Sequence, residues 1–206
     1  MILWDVDTQV DFMEPGGKLY FAGAEEAAPA MARLVEAARA AGIVHVASAD
    51  DHELIDPEIS EEPDWHNTFP PHCLRGTRGA EKIAETKQDD PLPLSLAPFP
   101  PEVVGEMIRG RREIVVLKKS VNVFTNPNTD PLLDALDPAE IVVFGVATDI
   151  CDDVAIRGFL QRGRRVRFVE DAARGLDEGR VGACTAAWRE RGVDFRSAEE
   201  VIASLG

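Results

Sequence analysis

The sequence is poor in cysteine and has no long hydrophobic run. Its 206 residues include three cysteines, Cys73, Cys151 and Cys184, and so low and odd a number does not predict a disulfide framework. No apolar run approaches the roughly 20 residues that a transmembrane helix needs. The first residues lack the basic segment of a secretory signal peptide. We therefore expect free thiols in a soluble, cytoplasmic protein that does not bind membranes.

Positive charge is also scarce. Lysine and arginine total 22 against 37 acidic residues, which gives a formal net charge of −15. A surface of this sign repels nucleic-acid phosphates and anionic lipids, so we predict that neither is a partner. Hydrophobic residues make up 45% of the chain, which is typical of a globular protein, and the length suits a single core.

Short apolar segments alternate with longer amphipathic stretches. Six segments rich in β-branched residues are predicted as buried strands: residues 2–6, 43–47, 114–117, 141–146, 166–169 and 193–195. The stretches between them place apolar residues at helical spacing, and three of them end near Gly42, Gly163 and Gly192. This alternation predicts a parallel sheet with helices on both faces.

The stretch from about residue 50 to residue 101 breaks this alternation. It holds nine of the fourteen prolines and three of the four histidines. It lacks apolar periodicity of its own, and a loop of this length in a compact domain is usually functional. We therefore predict one domain over residues 1–206, with a long site-forming loop and no second domain.

Polar residues follow four of the predicted strands. Asp7 follows the first, Asp50 and His52 the second, Lys118 the third, and Cys151 lies shortly after the fourth. Ligands of open parallel sheets bind beyond the carboxyl ends of the strands. We therefore expect these side chains to meet at one edge of the sheet.

Cys151 lies near the start of a predicted helix, with Thr148 or Asp149 as its candidate N-cap. Free N–H groups and the helix dipole at such a position stabilise a thiolate, lower the thiol pKa and can hold an oxyanion. The alternative is that Cys151 is a small core residue. Cys184 is predicted to be a core residue and Cys73 a structural one.

Two further assignments remain open from the residues alone. Asp7 could simply cap a loop, as could Asp5 and Asp11. Lys118 and Lys119 compete for one role, because they point to opposite sides of the predicted strand.

A metal site is the second chemical possibility. Asp50, His52 and His72 could supply a carboxylate and two imidazoles to Zn²⁺, Fe²⁺ or Mn²⁺, with His66 as a further ligand. The alternative is a solvated loop with incidental histidines.

Five segments together resemble the isochorismatase-like cysteine hydrolases, and nicotinamidases most closely. They appear in the family's order and span most of the chain: DTQVDF at 7–12, DDH at 50–52, FPPHCLRGTRGAE at 69–81, KKSVNVF at 118–124 and GVATDIC at 145–151. The resemblance implies a three-layer αβα fold with a doubly wound, six-stranded parallel sheet. It also implies a homo-oligomer.

The resemblance assigns a catalytic triad to Cys151, Asp7 and Lys118. It favours Lys118 over Lys119 through the six-residue spacing to Phe124. It further implies a cis peptide bond before Ala147, so that the N–H groups of Ala147 and Cys151 form an oxyanion hole.

The family's ligand set would assign a divalent metal, zinc or else iron or manganese, to Asp50, His52 and His72, with no organic cofactor. The metal would bind the pyridine nitrogen of nicotinamide, and the ring would lie among Phe12, Phe69 and Phe124. The implied activity converts nicotinamide to nicotinate and ammonia. The alternative is another small amide, carbamoyl or isochorismate-like substrate.

One segment departs from the nicotinamidase pattern. Many nicotinamidases have a second histidine and a serine–phenylalanine pair after the Asp-x-His motif, whereas residues 53–69 read ELIDPEISEEPDWHNTF here. The alternatives are that His66 or a water fills that histidine's position, or that this ligand is absent.

Overall fold

A parallel sheet of seven strands forms the centre of the computed structural model, which describes residues 1–65 and 67–205. The strands are β1 (Ile2–Val6), β2 (Val44–Asp50), β3 (Leu92–Leu94), β4 (Glu113–Lys118), β5 (Ile141–Val146), β6 (Val166–Arg174) and β7 (Asp194–Arg196). Their order across the sheet is β3-β4-β2-β1-β5-β6-β7, and each neighbouring pair is parallel.

Helices cover both faces of the sheet. They are α1 (Val10–Met13), α2 (Ala28–Ala40), α3 (Pro101–Met107), α4 (Thr129–Leu136), α5 (Asp153–Gln161), α6 (Glu178–Glu190) and α7 (Ala198–Ala203). The apolar side chains of α2 and α7 belong to one hydrophobic core, and those of α3 to α6 belong to the other. Within the described ranges, no helix has the length and apolar character needed to cross a bilayer.

Strand β1 shows how the sheet separates these cores. Ile2, Trp4 and Val6 contribute to the core under α3 to α6, whereas Leu3 contributes to the core under α2 and α7. This alternation follows from the two-residue period of a strand. A strand buried on both faces is apolar throughout, which is why these segments were recognisable in the sequence.

The predicted three-layer fold is confirmed, and all six predicted strands are present. The count of six was wrong because β3 lies inside the long loop, where it pairs with β4 at the edge of the sheet. It has three residues, and Pro93 is at its centre. A proline lacks the N–H that an interior strand needs, so it is tolerated at a sheet edge and weakens the sequence signal.

The strand order brings the predicted site residues together. The chain moves outward from β1 to β2 and β4, then returns to place β5 on the other side of β1. The four strands that carry these residues are therefore consecutive, in the order β4, β2, β1 and β5. The crevice at the carboxyl ends of β1 and β5 is the topological switch point of the sheet, where ligands bind.

Gly145 provides a test of how closely β1 and β5 pack. It has a φ of 135°, and a Cβ atom at this position would lie 2.1 Å from the Val6 carbonyl oxygen. We expect Gly145→Ala to lower the free energy of unfolding by about 2 kcal/mol or more, because the backbone must shift. Gly182→Ala is the matched control, since its Cβ meets nothing within 4 Å. Urea unfolding should leave Gly182→Ala unchanged or slightly stabilised, and equal effects at both positions would contradict this account.

Candidate functional site

The ammonium group of Lys118 lies at the centre of the site. Lys118 ends β4, and its side chain is only 1% exposed. Its Nζ lies 2.9 Å from Oδ2 of Asp7 and 2.5 Å from Oδ1 of Asp50. Burial lowers the pKa of Lys118, but the charges of Asp50 and Asp7 outweigh it and raise the pKa well above its ordinary value. Lys118 is therefore a buried cation shared by two carboxylates.

Asp7 follows β1 in a left-handed conformation, with a φ of 50°. This bend turns its carboxylate toward β2, where the Ser48 hydroxyl donates a hydrogen bond of 2.8 Å to Oδ1. Burial raises the pKa of Asp7, and the Lys118 ammonium opposes that increase. A carboxylate with a raised pKa is better suited to accept a proton than an ordinary aspartate is.

Cys151 completes this group of side chains. Its sulfur lies 4.0 Å from Nζ of Lys118, and the Asp7 carboxylate acts on the pKa of its thiol. The structure thus brings Asp7, Lys118 and Cys151 together, although their catalytic roles stay predictions.

The expected lowering of the Cys151 pKa was wrong. Burial raises the pKa of this thiol well above its ordinary value, and the carboxylates of Asp7 and Asp50 raise it further against the effect of Lys118. The predicted N-cap was also wrong, because Thr148–Asp152 form a wide π-helical turn and α5 begins only at Asp153. The resting thiol is therefore protonated.

The peptide bond between Val146 and Ala147 is cis, as the resemblance implied. It connects the end of β5 to the wide turn. The carbonyl oxygen of Ala147 accepts hydrogen bonds from the N–H groups of Ile150 and Asp152, at 2.9 and 3.1 Å. These bonds fix the turn that carries Cys151. The oxyanion hole formed by the N–H groups of Ala147 and Cys151 stays a prediction.

Asp50, His52 and His72 form a second group beside the first. Their ligand atoms all lie within 4.8 Å of one another, and all three residues are buried. Oδ2 of Asp50 lies 3.8 Å from Nε2 of His52 and 3.6 Å from Nε2 of His72. One carboxylate and two imidazoles match the ligands that Zn²⁺ prefers. His66, the further ligand considered, lies outside the described residues.

The surroundings of the two histidines also fit a metal. Nδ1 of His72 lies 2.7 Å from the carbonyl oxygen of Pro70, so it is the nitrogen that donates, and Nε2 remains available. Both ring nitrogens of His52 are buried without a hydrogen-bond partner. Burial lowers the pKa of His52, which favours the neutral, metal-binding form.

The contacts of Lys119 distinguish it from Lys118. Its Nζ lies 2.8 Å from Asp56 and 3.1 Å from Glu53. Asp56 also lies 3.4 Å from Nδ1 of His52. Lys119 therefore supports the loop that carries His52, while Lys118 alone contacts Asp7 and Asp50.

A cavity of about 380 Å³ opens above these side chains. Cys151 lies on its wall, as do Asp50 and His72. Phe12 and Phe69 line it too, in agreement with their predicted position, and the ring centroid of Phe12 lies 5.3 Å from that of His72. The cavity thus combines apolar walls with a few polar groups, as small-molecule sites do.

Phe124, predicted to line the same cavity, does not. Residues 123–125 form a 3-10 turn that directs its ring toward α5, where it packs against Phe159 with centroids 5.5 Å apart. Gly158 makes this possible, since a Cβ there would lie 2.0 Å from the Phe124 ring. Val121 contributes to the cavity from this segment instead.

Three residues at the site were not identified as site residues from the sequence. Gln9 accepts a hydrogen bond from the Asp50 N–H and donates to the carbonyl oxygens of Asp50 and Ala80. Asp11 accepts from the N–H of Cys73, next to His72. Glu58 lines the cavity. Gln9 and Asp11 belong to the DTQVDF segment, which was the available signal, whereas nothing distinguishes Glu58 from the other acidic residues of its loop.

The fold and the site define a doubly wound α/β protein with a cysteine, an aspartate and a lysine at the carboxyl edge of its sheet. The model of the Isochorismatase domain matches residues 2–200. The chain therefore belongs to the isochorismatase family, which confirms the resemblance seen in the sequence.

Named relatives fall into two groups. Over 161 residues the chain is 30% identical to ureidoacrylate amidohydrolase RutB of Azorhizobium caulinodans, a match to 74% of this chain but slightly under two thirds, 66%, of that protein. It is 28% identical to nicotinamidase/pyrazinamidase of Mycobacterium tuberculosis over 92% of this chain and 95% of that protein. The zinc complex of Pyrococcus horikoshii pyrazinamidase shares the fold, with a TM-score of 0.73, 22% identity and coverage of 95% and 98%.

Lys118 and Lys119 form a natural pair for a stability test. We expect Lys118→Met to lower the free energy of unfolding by about 3–5 kcal/mol, because it leaves two buried carboxylates without their cation. Lys119→Met removes the same charge from a more exposed position and should cost about 1 kcal/mol or less. Chemical denaturation near neutral pH measures both. Similar losses in the two variants would show that the buried ion pairs are not what distinguishes Lys118.

Proposed function

We propose that this chain is an amidohydrolase that uses Cys151, Asp7 and Lys118 to convert nicotinamide to nicotinate and ammonia. The observation that carries the proposal is that Cys151 lines the same cavity as Asp50 and His72, two of the three possible metal ligands. The nicotinamidase relative, matched over nearly its whole length, supports the same substrate.

The protonation states suggest the first chemical step. Asp7, with its raised pKa, accepts the proton of the Cys151 thiol as the sulfur attacks the amide carbonyl carbon. Lys118 stays charged and stabilises both anions as the proton moves. The N–H groups of Ala147 and Cys151 stabilise the oxyanion of the tetrahedral intermediate.

Asp7 then returns the proton to the leaving nitrogen, and ammonia departs. A thioester remains on Cys151. Water attacks its carbonyl carbon with Asp7 again as the base, which releases the acid and restores the thiol. Since the proton only passes between Asp7, Cys151 and the reacting groups, the buried site keeps its net charge throughout the cycle.

Asp50, His52 and His72 would hold the divalent metal, with zinc as the first candidate. When bound, it supplies a positive centre that can accept the pyridine nitrogen of nicotinamide as a ligand. The ring of the substrate would then lie beside Phe12 and Phe69, with its amide directed toward Cys151.

A second candidate function is hydrolysis of another small amide or carbamoyl compound. The observation that favours it is the match to ureidoacrylate amidohydrolase RutB. The same triad would act on either substrate, because a carbamoyl group also presents a carbonyl carbon bonded to nitrogen. Ammonia release from nicotinamide and from ureido compounds separates the two functions.

The nucleophile is tested by Cys151→Ala. We expect this variant to lose ammonia release by at least about 10³-fold, because no other group can form the thioester. Cys184→Ala is the control, since Cys184 is buried in the core under α6, and it should retain activity near the wild-type level. Mass spectrometry of quenched reactions should detect an acyl adduct on wild type only. Turnover by Cys151→Ala would remove Cys151 from the mechanism.

The metal assignment is tested by His72→Ala. We expect this variant to bind zinc at least about 10-fold more weakly, because one of three protein ligands is lost. Cys151→Ala, which leaves the ligands intact, should bind zinc like the wild type. Competition with a chromophoric chelator measures both affinities without any assay of turnover. Equal zinc affinity in the two variants would place the metal elsewhere.

A further inference from the structure

Asp5 is a buried acidic residue that the proposed mechanism does not use. It is the one charged residue of β1, and its side chain is fully buried. The ammonium group of Lys82 lies 2.9 Å from its Oδ1. Burial raises the pKa of Asp5, but Lys82 and the neighbouring His45 outweigh this effect, so that the pKa is lowered. Asp5 is therefore a buried carboxylate that is charged at neutral pH.

The Asp5 carboxylate binds the side chain of Thr8. Oγ1 of Thr8 lies 2.8 and 2.9 Å from the two carboxylate oxygens, and it lies 2.6 Å from the hydroxyl oxygen of Thr86. Because an ionised carboxylate can only accept, the Thr8 hydroxyl must donate its single proton to Asp5. It then accepts the proton of the Thr86 hydroxyl. The three side chains thus form a directed chain of hydrogen bonds that ends on Asp5.

Thr8 is also the central residue of the bend that follows β1. Asp7 has a φ of 50°, a conformation whose cost the surrounding structure must offset. The N–H of Gln9 donates a hydrogen bond of 2.7 Å to the carbonyl oxygen of Asp7, so residues 7–9 form a tight turn. The carbonyl oxygen of Thr8 accepts a hydrogen bond of 3.0 Å from the N–H of Ile83. Both the side chain and the backbone of Thr8 are therefore anchored, which holds this bend.

The bend decides the direction of the Asp7 carboxylate. It turns the side chain toward β2 and β4, where the carboxylate accepts a hydrogen bond of 2.8 Å from Ser48 and lies 2.9 Å from Nζ of Lys118. Proton transfer is sensitive to such placement, because a displacement of about 1 Å can cost about 10²-fold in rate. A residue that fixes the bend can therefore affect catalysis without contact with the substrate.

We propose that Asp5 is a positioning residue for Asp7. Held by Lys82, the Asp5 carboxylate anchors Thr8 and so keeps the left-handed bend that directs Asp7 toward Lys118. The inference adds a buried residue behind the site to the proposed catalytic group, and it rests on the proposed function for its effect on turnover. The alternative is that Asp5, Thr8 and Lys82 only stabilise the fold.

Thr8→Val and Thr86→Val are matched variants for this test. Each replaces a buried threonine by a side chain of the same shape, and each removes the hydrogen bond between the two hydroxyl groups. Only Thr8→Val also removes the hydrogen bonds to Asp5. The two variants therefore separate the contact with Asp5 from the general cost of losing a buried hydroxyl.

The first measurement is ammonia release from nicotinamide by zinc-loaded protein. We expect Thr8→Val to lower kcat about 10- to 100-fold and to leave KM within about twofold, because Asp7 is displaced while the residues that would bind the substrate are untouched. Thr86→Val should keep both parameters within about twofold of wild type, as expected for a site whose geometry is intact. Thr8→Ser restores the hydroxyl and should recover most of the lost rate.

The second measurement reports the position of Asp7 without any turnover. Burial and the carboxylates of Asp7 and Asp50 raise the pKa of the Cys151 thiol, whereas Lys118 lowers it. Displacement of Asp7 in Thr8→Val should therefore move the midpoint of Cys151 alkylation by iodoacetamide about one pH unit lower, even though turnover falls. Mass spectrometry locates the modified residue. Cys73, which is fully buried, should stay unmodified while the protein is folded.

A double variant removes the ion pair itself. Asp5→Leu combined with Lys82→Met replaces both charges by apolar side chains, so that no unpaired charge is left in the interior. Such replacements are often neutral or stabilising, and the double variant should therefore fold. We expect it to show the same loss in kcat and the same change in the alkylation midpoint as Thr8→Val.

Two results would overturn the inference. A wild-type kcat and alkylation midpoint in the folded double variant would mean that the ion pair serves stability alone. Equal changes in Thr8→Val and Thr86→Val would mean that packing, and not the contact with Asp5, is responsible. By contrast, a wild-type protein that releases no ammonia from nicotinamide, while the alkylation midpoint still moves in Thr8→Val and not in Thr86→Val, would refute the proposed function and support the inference.

Discussion

The contact on which the site depends is the buried ammonium of Lys118 between Asp7 and Asp50. It lies 2.9 Å from one carboxylate and 2.5 Å from the other. Neither carboxylate could stay ionised at this depth without the cation, and the cation could not stay charged without them. Asp50 uses its two oxygens differently, because Oδ1 contacts Lys118 and Oδ2 faces the histidines. One side chain thereby connects the group around Cys151 to the candidate metal-ligand group.

The DTQVDF segment fixes the loops around that contact. Asp7 contacts Lys118, while Gln9 holds the backbone at the end of β2 and Asp11 holds the backbone beside His72. Gly79 has room for no side chain, since a Cβ there would lie 2.2 Å from the Asp11 carboxylate. The long loop therefore needs no helix of its own to place His52 and His72, because polar side chains of the first segment hold it.

The fold was predictable because buried parallel strands are apolar throughout and polar residues follow them. Asp7 and Cys151 could be found this way, with Lys118 or Lys119 as the lysine. The family's motifs selected Lys118 and added the two phenylalanines that line the cavity. Three features were not accessible. β3 is too short and contains Pro93, and the orientation of Phe124 depends on the space left by Gly158. The raised pKa of Cys151 depends on burial and on nearby carboxylates, which no local pattern near a helix start reveals.

Charge balance explains why this site suits a thiol, a metal and a neutral substrate together. Two ionised carboxylates and one ammonium leave the buried group with excess negative charge, which keeps the resting thiol protonated. A divalent cation at Asp50, His52 and His72 would reverse that sign. It would lower the pKa of the Cys151 thiol, so that Asp7 could accept the thiol proton as a base. The surface, with a formal net charge of −15, repels anions that approach from solvent. A neutral amide is repelled neither by this surface nor by the excess negative charge of the buried group. The acid that leaves the site as product is an anion.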